Sequence, residues 1–301
     1  MLYGTNRIQK QLLDEVKQCE KEKGIKVIYG ALVGSISKGI QCVDSDYDTR
    51  FLYINKDFPQ NILCGEYLPE ENVIYRRYLE DTCFEKIPFW EFSSFLQYLA
   101  MPSIEGKFST GLYNVVGWTF MSPYSWDPYG IGNKILPIIQ KSFCKDYFLD
   151  YHKQILGKNK CHGKKVNAKI YLNELYSALA IDWVNRYNEF PPVCIDTLLY
   201  NVEKDIIDKT RELVSKLREK TQKKVRNANE IDLLHGLSDD VVVDRVTTLD
   251  CYMEKMLNDV MWQELKRLEP YEILEIQKDL NYIYSIIQKS ICEQDKKFDF
   301  E

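Results

Sequence analysis

The hydrophobic pattern of this chain changes period once, and that change limits the fold more than any single residue does. Before about residue 105 the apolar residues fall in short β-branched and aromatic runs, and beyond it every long segment repeats at helical spacing. An amphipathic helix is expected over residues 6–22, with Ile8, Leu12, Leu13 and Val16 on one stripe and Gly24 as its stop. Residues 25–33 and 46–55 read as strands, 72–79 and 83–89 as further extended pieces, and 90–100 as a helix carrying Phe92, Phe95, Leu96 and Leu99. Helical period then covers 133–156, 166–189, 196–226, 239–267 and 270–291, after a Pro-, Gly- and Tyr-rich stretch at 122–132 that reads as a linker. The expected class is α+β, with strands and helices together over residues 1–122 and a helical domain over 123–301.

Composition narrows the class of function. A chain of 301 residues with 45% hydrophobic and 28% charged residues can bury a real core and is neither disordered nor fibrous. Its net charge of -5 means that a nucleic-acid partner must be held by a local basic patch, not by the field of the whole molecule. Nine cysteines are scattered without a C-x-x-C pair, which fits reduced thiols in a cytoplasm and gives no zinc site. No apolar run reaches the roughly 18 to 20 residues of a membrane span, so a cytoplasmic protein without membrane attachment is expected.

The chemistry is concentrated in residues 34–50, GSISKGIQCVDSDYDTR. On a strand, residues two apart face the same side, so Asp46 and Asp48 are expected to project neighbouring carboxylates, with Arg50 one step beyond. Two like charges so placed repel, and a hard divalent ion such as Mg²⁺ is the usual answer. Upstream, Gly34 and Ser35 close the first strand where a helix begins. There, backbone N–H groups and a hydroxyl can approach a phosphate without obstruction. Together these groups predict a site for a metal-bound polyphosphate.

This arrangement resembles the signature of the DNA polymerase beta-like nucleotidyltransferase superfamily, and GSISKGIQCVDSDYDTRFLY is most similar to its RNA-repair-associated group. Weaker similarity runs through FWEFSSFLQYL (89–99) and KIYLNELYSALAIDWV (169–184). The resemblance implies a mixed sheet with flanking helices, and transfer of a nucleoside monophosphate from an NTP to an acceptor hydroxyl, with two Mg²⁺ ions. It implies that Asp46 and Asp48 are the catalytic metal-binding carboxylates and that Gly34 and Ser35 contact phosphate. A third carboxylate is implied on a later strand, as metal ligand and base for the acceptor hydroxyl. The family's position falls at Lys86, which leaves Glu85 as first choice and Glu91 as second. Lys38, Arg50 and Lys169 are implied to neutralise the nucleotide, whereas Ile36 and Tyr176 stand where the family usually has basic residues. An RNA 3′ end, a protein hydroxyl or a small molecule would each serve as acceptor.

Competing patterns are weaker. The D-x-D-x-D string lacks the Gly and Glu of an EF-hand, having Thr49 and Asn55 at those places. Residues 34–39 lack the ending of a P-loop, and His152, His162 and His235 lack triad partners. The lysines of 158–169 serve equally as a phosphate-binding patch or a solvated loop. Arg76, Arg77, Trp126 and Tyr129 are secondary candidates for substrate contact or base stacking. A different class also remains open: a catalytically inactive nucleotide- or RNA-binding module that kept the fold without the third acid.

Overall fold

A computed structural model of the chain describes residues 6–42, 45–55, 73–77, 86–100, 103–104, 107–108, 110–158, 164–227, 241–261 and 268–298. The architecture is α+β, and the chain divides into two compact units. One comprises Met1–Val33, Tyr47–Cys144 and Arg267–Glu301; the other comprises Gly34–Asp46 and Lys145–Lys266.

The first unit is built on a five-stranded sheet. Its strands are β1 (Ile25–Leu32), β2 (Thr49–Asn55), β3 (Val73–Arg77), β4 (Lys86–Glu91) and β7 (Ser125–Trp126), in the order β3-β4-β2-β1-β7. All pairs are antiparallel except β2 with β4, which is parallel. The short pair β5 (Ser103–Ile104) and β6 (Lys107–Phe108) lies apart from this sheet. β1 is buried along nearly its whole length, which explains why its sequence is a continuous apolar run and not an alternating one. At its centre Gly30 faces Phe51, and a Cβ there would lie 2.5 Å from the Phe51 ring. That ring stacks on Phe89 at 5.1 Å, so the glycine makes room for the aromatic centre of the sheet.

Helix α1 (Asn6–Lys23) buries Leu12, Val16 and Cys19 and packs against β1. It stops where expected, at Gly24 with φ 65°. Helix α3 (Phe92–Ala100) buries Phe92, Phe95, Leu96 and Leu99 completely. It packs against α4 (Thr110–Phe120) and α11 (Pro270–Phe298). The last helix thus returns to the sheet unit, with Tyr284 stacked on Phe92 and Asp279 paired to Lys141 of α5 (Ile131–Lys141) at 2.8 Å.

Several elements differ from the sequence expectation. Residues 122–132, expected as a linker, carry β7, which pairs with β1. The helix expected over 133–156 is two, α5 and α6 (Lys145–Lys158). The break at 142–144 is held by Tyr113, whose hydroxyl accepts from the Cys144 N–H at 2.7 Å and donates to the Ser142 carbonyl at 3.3 Å. Tyr113 sits on α4, which the periodicity reading passed over.

The second unit is helical. Helix α7 (Ala168–Tyr187) runs through it, buried nearly all round, and α6, α8 (Ile195–Leu198), α9 (Lys204–Asn227) and α10 (Thr247–Met261) pack on it. Each fully buried Leu or Ile of α7 contributes roughly 1.5 to 3 kcal/mol of hydrophobic stabilisation. A single helix was expected over 196–226; the chain instead forms α8, a tight turn at Leu199–Asn201, and α9. Helices α7 and α10 are each preceded by a short strand, β8 (Lys165–Asn167) and β9 (Val242–Asp244), which pair antiparallel.

Glu174 of α7 is only 4% exposed, and its Oε1 makes no hydrogen bond among the described residues. Burial pushes its carboxyl from 4.5 up to about 7; Arg245 opposes the shift and Asp250 adds to it. A folded pKa above the unfolded one gives stability that is fully present below pH 4.5 and is lost as pH rises through about 7. We therefore expect wild type to lose on the order of 2 kcal/mol over that window relative to Glu174→Gln. Urea unfolding of both proteins at successive pH values checks this, and parallel profiles would contradict it.

Candidate active site

The chain passes from one unit to the other at residues 33–34 and returns at 46–47, within the segment that carries the chemistry. Gly34, Ser35, Lys38, Asp46 and Lys169 belong to the helical unit, and Asp48 and Arg50 to the sheet unit.

In the helical unit, Gly34 opens the short helix α2 (Gly34–Lys38) with φ 67°, a conformation costly for any residue with a Cβ. The turn is tied to itself: Ser37 Oγ donates to the Gly34 carbonyl at 3.0 Å, and the Ile40 N–H donates to the Ser35 carbonyl at 3.0 Å. Ser35 is half-buried. Further on, Ser45 Oγ accepts from the Cys42 N–H at 2.9 Å while the Ser45 N–H donates to the Cys42 carbonyl at 3.2 Å. This closes the loop just before Asp46, which is half-exposed.

Lys38 lies 4.5 Å from the centre of the Tyr176 ring. Tyr176, which stands where the resembled family has an arginine, is buried and supplies an aromatic face for a cation. Burial pushes His152 well below its ordinary value and the Lys38 charge adds to this, so the imidazole is neutral. Lys169 is exposed in the first turn of α7, beside the Asn167 cap that accepts from the Ile170 N–H at 3.0 Å.

In the sheet unit, β2 begins at Thr49, three residues later than expected. Asp46 and Asp48 therefore lie on the approach to the strand, and the alternation argument for placing them on one face does not apply. Asp48 is nevertheless anchored: its carbonyl accepts from the Val33 N–H at 2.8 Å, extending the β1–β2 ladder, while the residue itself is exposed. Arg50, expected to help neutralise the nucleotide, donates from its guanidinium to Thr119 Oγ1 at 3.0 Å and lies 6.0 Å from the ring centres of both Trp90 and Phe95. Burial lowers its pKa to about 10, against the opposing pull of Asp48 and Tyr75, so it remains a cation.

The sheet register separates the two candidates for a third acid. Phe51, Leu52 and Tyr53 pair in parallel with Phe89, Trp90 and Glu91. Continuing that register backwards brings Asp48 level with Lys86, the first residue of β4. Glu85 precedes it and lies outside the described residues. Glu91 ends the same strand five residues later, which is about 16 Å along it. There its Oε2 accepts from Ser93 Oγ at 2.5 Å and from the Ser94 N–H at 2.7 Å, capping α3.

Among the described residues no group of three or more His, Cys, Asp or Glu side chains is placed to hold a metal ion. Two accessible carboxylates separated by one residue are nonetheless hard oxygen donors of the kind Mg²⁺ takes, with waters or phosphate oxygens completing the shell. The donor chemistry fits. Of the other candidates, Lys164 and Lys165 are exposed and Trp126 is half-buried, while residues 159–163 and the side chains of Arg76 and Arg77 lie outside the described residues. Sequence reasoning missed Thr119 and Arg218; each meets its partner across long sequence separation and carries no local signal.

Residues 8–62 match the RNA repair pathway DNA polymerase beta family, in agreement with the resemblance of the motif itself. Over 281 residues the chain is 21% identical to the uncharacterized protein YcgL of Bacillus subtilis (strain 168), covering 90% of this chain and 99% of that one. A solved structure of a nucleotidyltransferase-like protein from Exiguobacterium sibiricum 255-15 is 12% identical, covers 92% of this chain and 91% of its own, and has a TM-score of 0.24.

Proposed function

We propose that this protein is a metal-dependent nucleotidyltransferase that moves a nucleoside monophosphate from an NTP to an acceptor hydroxyl and releases pyrophosphate. The observation that carries the reading is the order of groups along residues 34–50. A glycine in the left-handed conformation and a serine come first, and two accessible carboxylates follow at the entry to β2. The family match over residues 8–62 supports it.

Asp46 and Asp48 would hold two Mg²⁺ ions together with Glu85. Bound there, the ions would supply activation of the acceptor hydroxyl and charge stabilisation of the leaving pyrophosphate. Glu85 takes the acceptor's proton as its oxygen bonds to the α-phosphorus and the bond to the β-phosphate oxygen breaks. The Gly34 and Ser35 turn receives the phosphate tail, and Lys38 and Lys169 offset its charge. Arg50, turned toward Thr119, acts at one remove: a buried cation lowers the cost of concentrating negative charge at Asp48. The proposed acceptor is an RNA 3′ end, with a protein hydroxyl as alternative, and the proposed compartment is the cytoplasm.

One observation favours a second reading, a nucleotide- or RNA-binding module without catalysis. Glu91, the alternative third acid, is engaged in capping α3. Incubation with each α-labelled NTP, Mg²⁺ and pooled RNA separates the two. Label transferred to RNA with release of pyrophosphate supports the enzyme, whereas nucleotide retention without transfer supports the module.

A further inference from the structure

The loop that joins the glycine-serine turn to Asp46 is gripped from α9 by one exposed arginine. Arg218 donates through Nη2 to the Gly39 carbonyl at 2.9 Å and through Nε to the Gln41 carbonyl at 3.1 Å, with Gln41 Oε1 3.5 Å from the same Nη2. Arg218 stands at the edge of the buried face of α9, where Leu213, Val214 and Leu217 are packed, and Val214, one turn earlier on the same side, lines a pocket with it and Gly39. Gly39 itself has φ 76°, and a Cβ there would lie 3.5 Å from Cys194 Sγ and 3.7 Å from Ile195 Cγ2, at the start of α8. The Gly39 N–H donates to the Ile36 carbonyl at 3.1 Å, so the segment is also tied back to α2.

A planar guanidinium that donates to two main-chain carbonyls two residues apart fixes the direction of the backbone as well as its position. We propose that Arg218 is a positioning residue of the candidate active site: it clamps residues 39–41 and thereby sets the conformation of the segment that delivers Asp46. The consequence for catalysis rests on the nucleotidyltransferase reading, while the clamp itself does not.

The test compares wild type with Arg218→Ala and Arg218→Lys in the full chain. Amide hydrogen exchange at Gly39, Ile40 and Cys42 should speed up roughly tenfold or more in the alanine variant, with Leu213 and Leu217 of α9 unchanged. Lysine should restore only part of that protection, since a single ammonium cannot reproduce the fork. The kcat for label transfer should fall roughly 10- to 100-fold with little change in KM for the NTP, as misplacement of a catalytic group predicts. Unchanged exchange at residues 39–42 overturns the proposal whatever the transfer assay gives. A loosened loop with undiminished kcat overturns it as well. If wild type transfers no label from any NTP, the enzyme reading fails and exchange alone decides the role of Arg218.

Discussion

Asp48→Asn leaves the protein folded and lowers nucleotidyl transfer by roughly three orders of magnitude. The substitution is nearly isosteric, and the anchor at this position is the backbone carbonyl that accepts from the Val33 N–H, which asparagine keeps. What is lost is the charge. An amide oxygen is a far weaker ligand for a hard divalent cation than a carboxylate, so metal and polyphosphate lose their shared counter-charge. Asp48 also supports the Arg50 cation, but that group titrates at about 10, so it keeps its charge at neutral pH in the variant. Stability should therefore change by less than about 1 kcal/mol. Label transfer at saturating Mg²⁺, with a melting curve beside it, checks both halves; transfer within a few-fold of wild type would contradict the assignment.

The second large effect concerns the third acid. Glu85→Gln is expected to reduce transfer by roughly 10²- to 10³-fold, because it removes both a metal ligand and the base for the acceptor hydroxyl. Glu91→Gln should leave transfer within a few-fold of wild type and lower stability by about 1 kcal/mol through the weakened α3 cap. The contrast follows from Glu91, which the parallel register sets opposite Tyr53, five residues along the chain from Asp48, and whose carboxylate caps α3. Rates and urea midpoints measured on both variants decide the matter, and the reverse pattern would return the role to Glu91.

Much of the fold was legible because local rules and tertiary packing agree. The β1 run, the Gly24 stop and the Phe92, Phe95, Leu96, Leu99 stripe are all buried or placed as periodicity implied. The failures share a cause. The break at 142–144 depends on Tyr113, and β7 depends on pairing with β1; both are set by partners distant in sequence. The return of α11 to the sheet unit is equally invisible to a linear reading. At the site, the residue types of 34–50 pointed to metal and phosphate, but the strand expected from residue 46 starts at Thr49, so alternation along β2 does not extend to Asp46 and Asp48. Arg50 shows the same dependence on distant partners: its guanidinium donates to Thr119 of α4, a helix not foreseen in the sequence.

Binding of Mn²⁺, standing in for Mg²⁺, together with a non-hydrolysable NTP analogue tests the central claim most directly when followed by titration calorimetry. Wild type should take up the ion in a nucleotide-dependent manner, and Asp46→Asn and Asp48→Asn should each weaken that uptake roughly tenfold or more. Equal ion affinity in all three proteins would contradict the account.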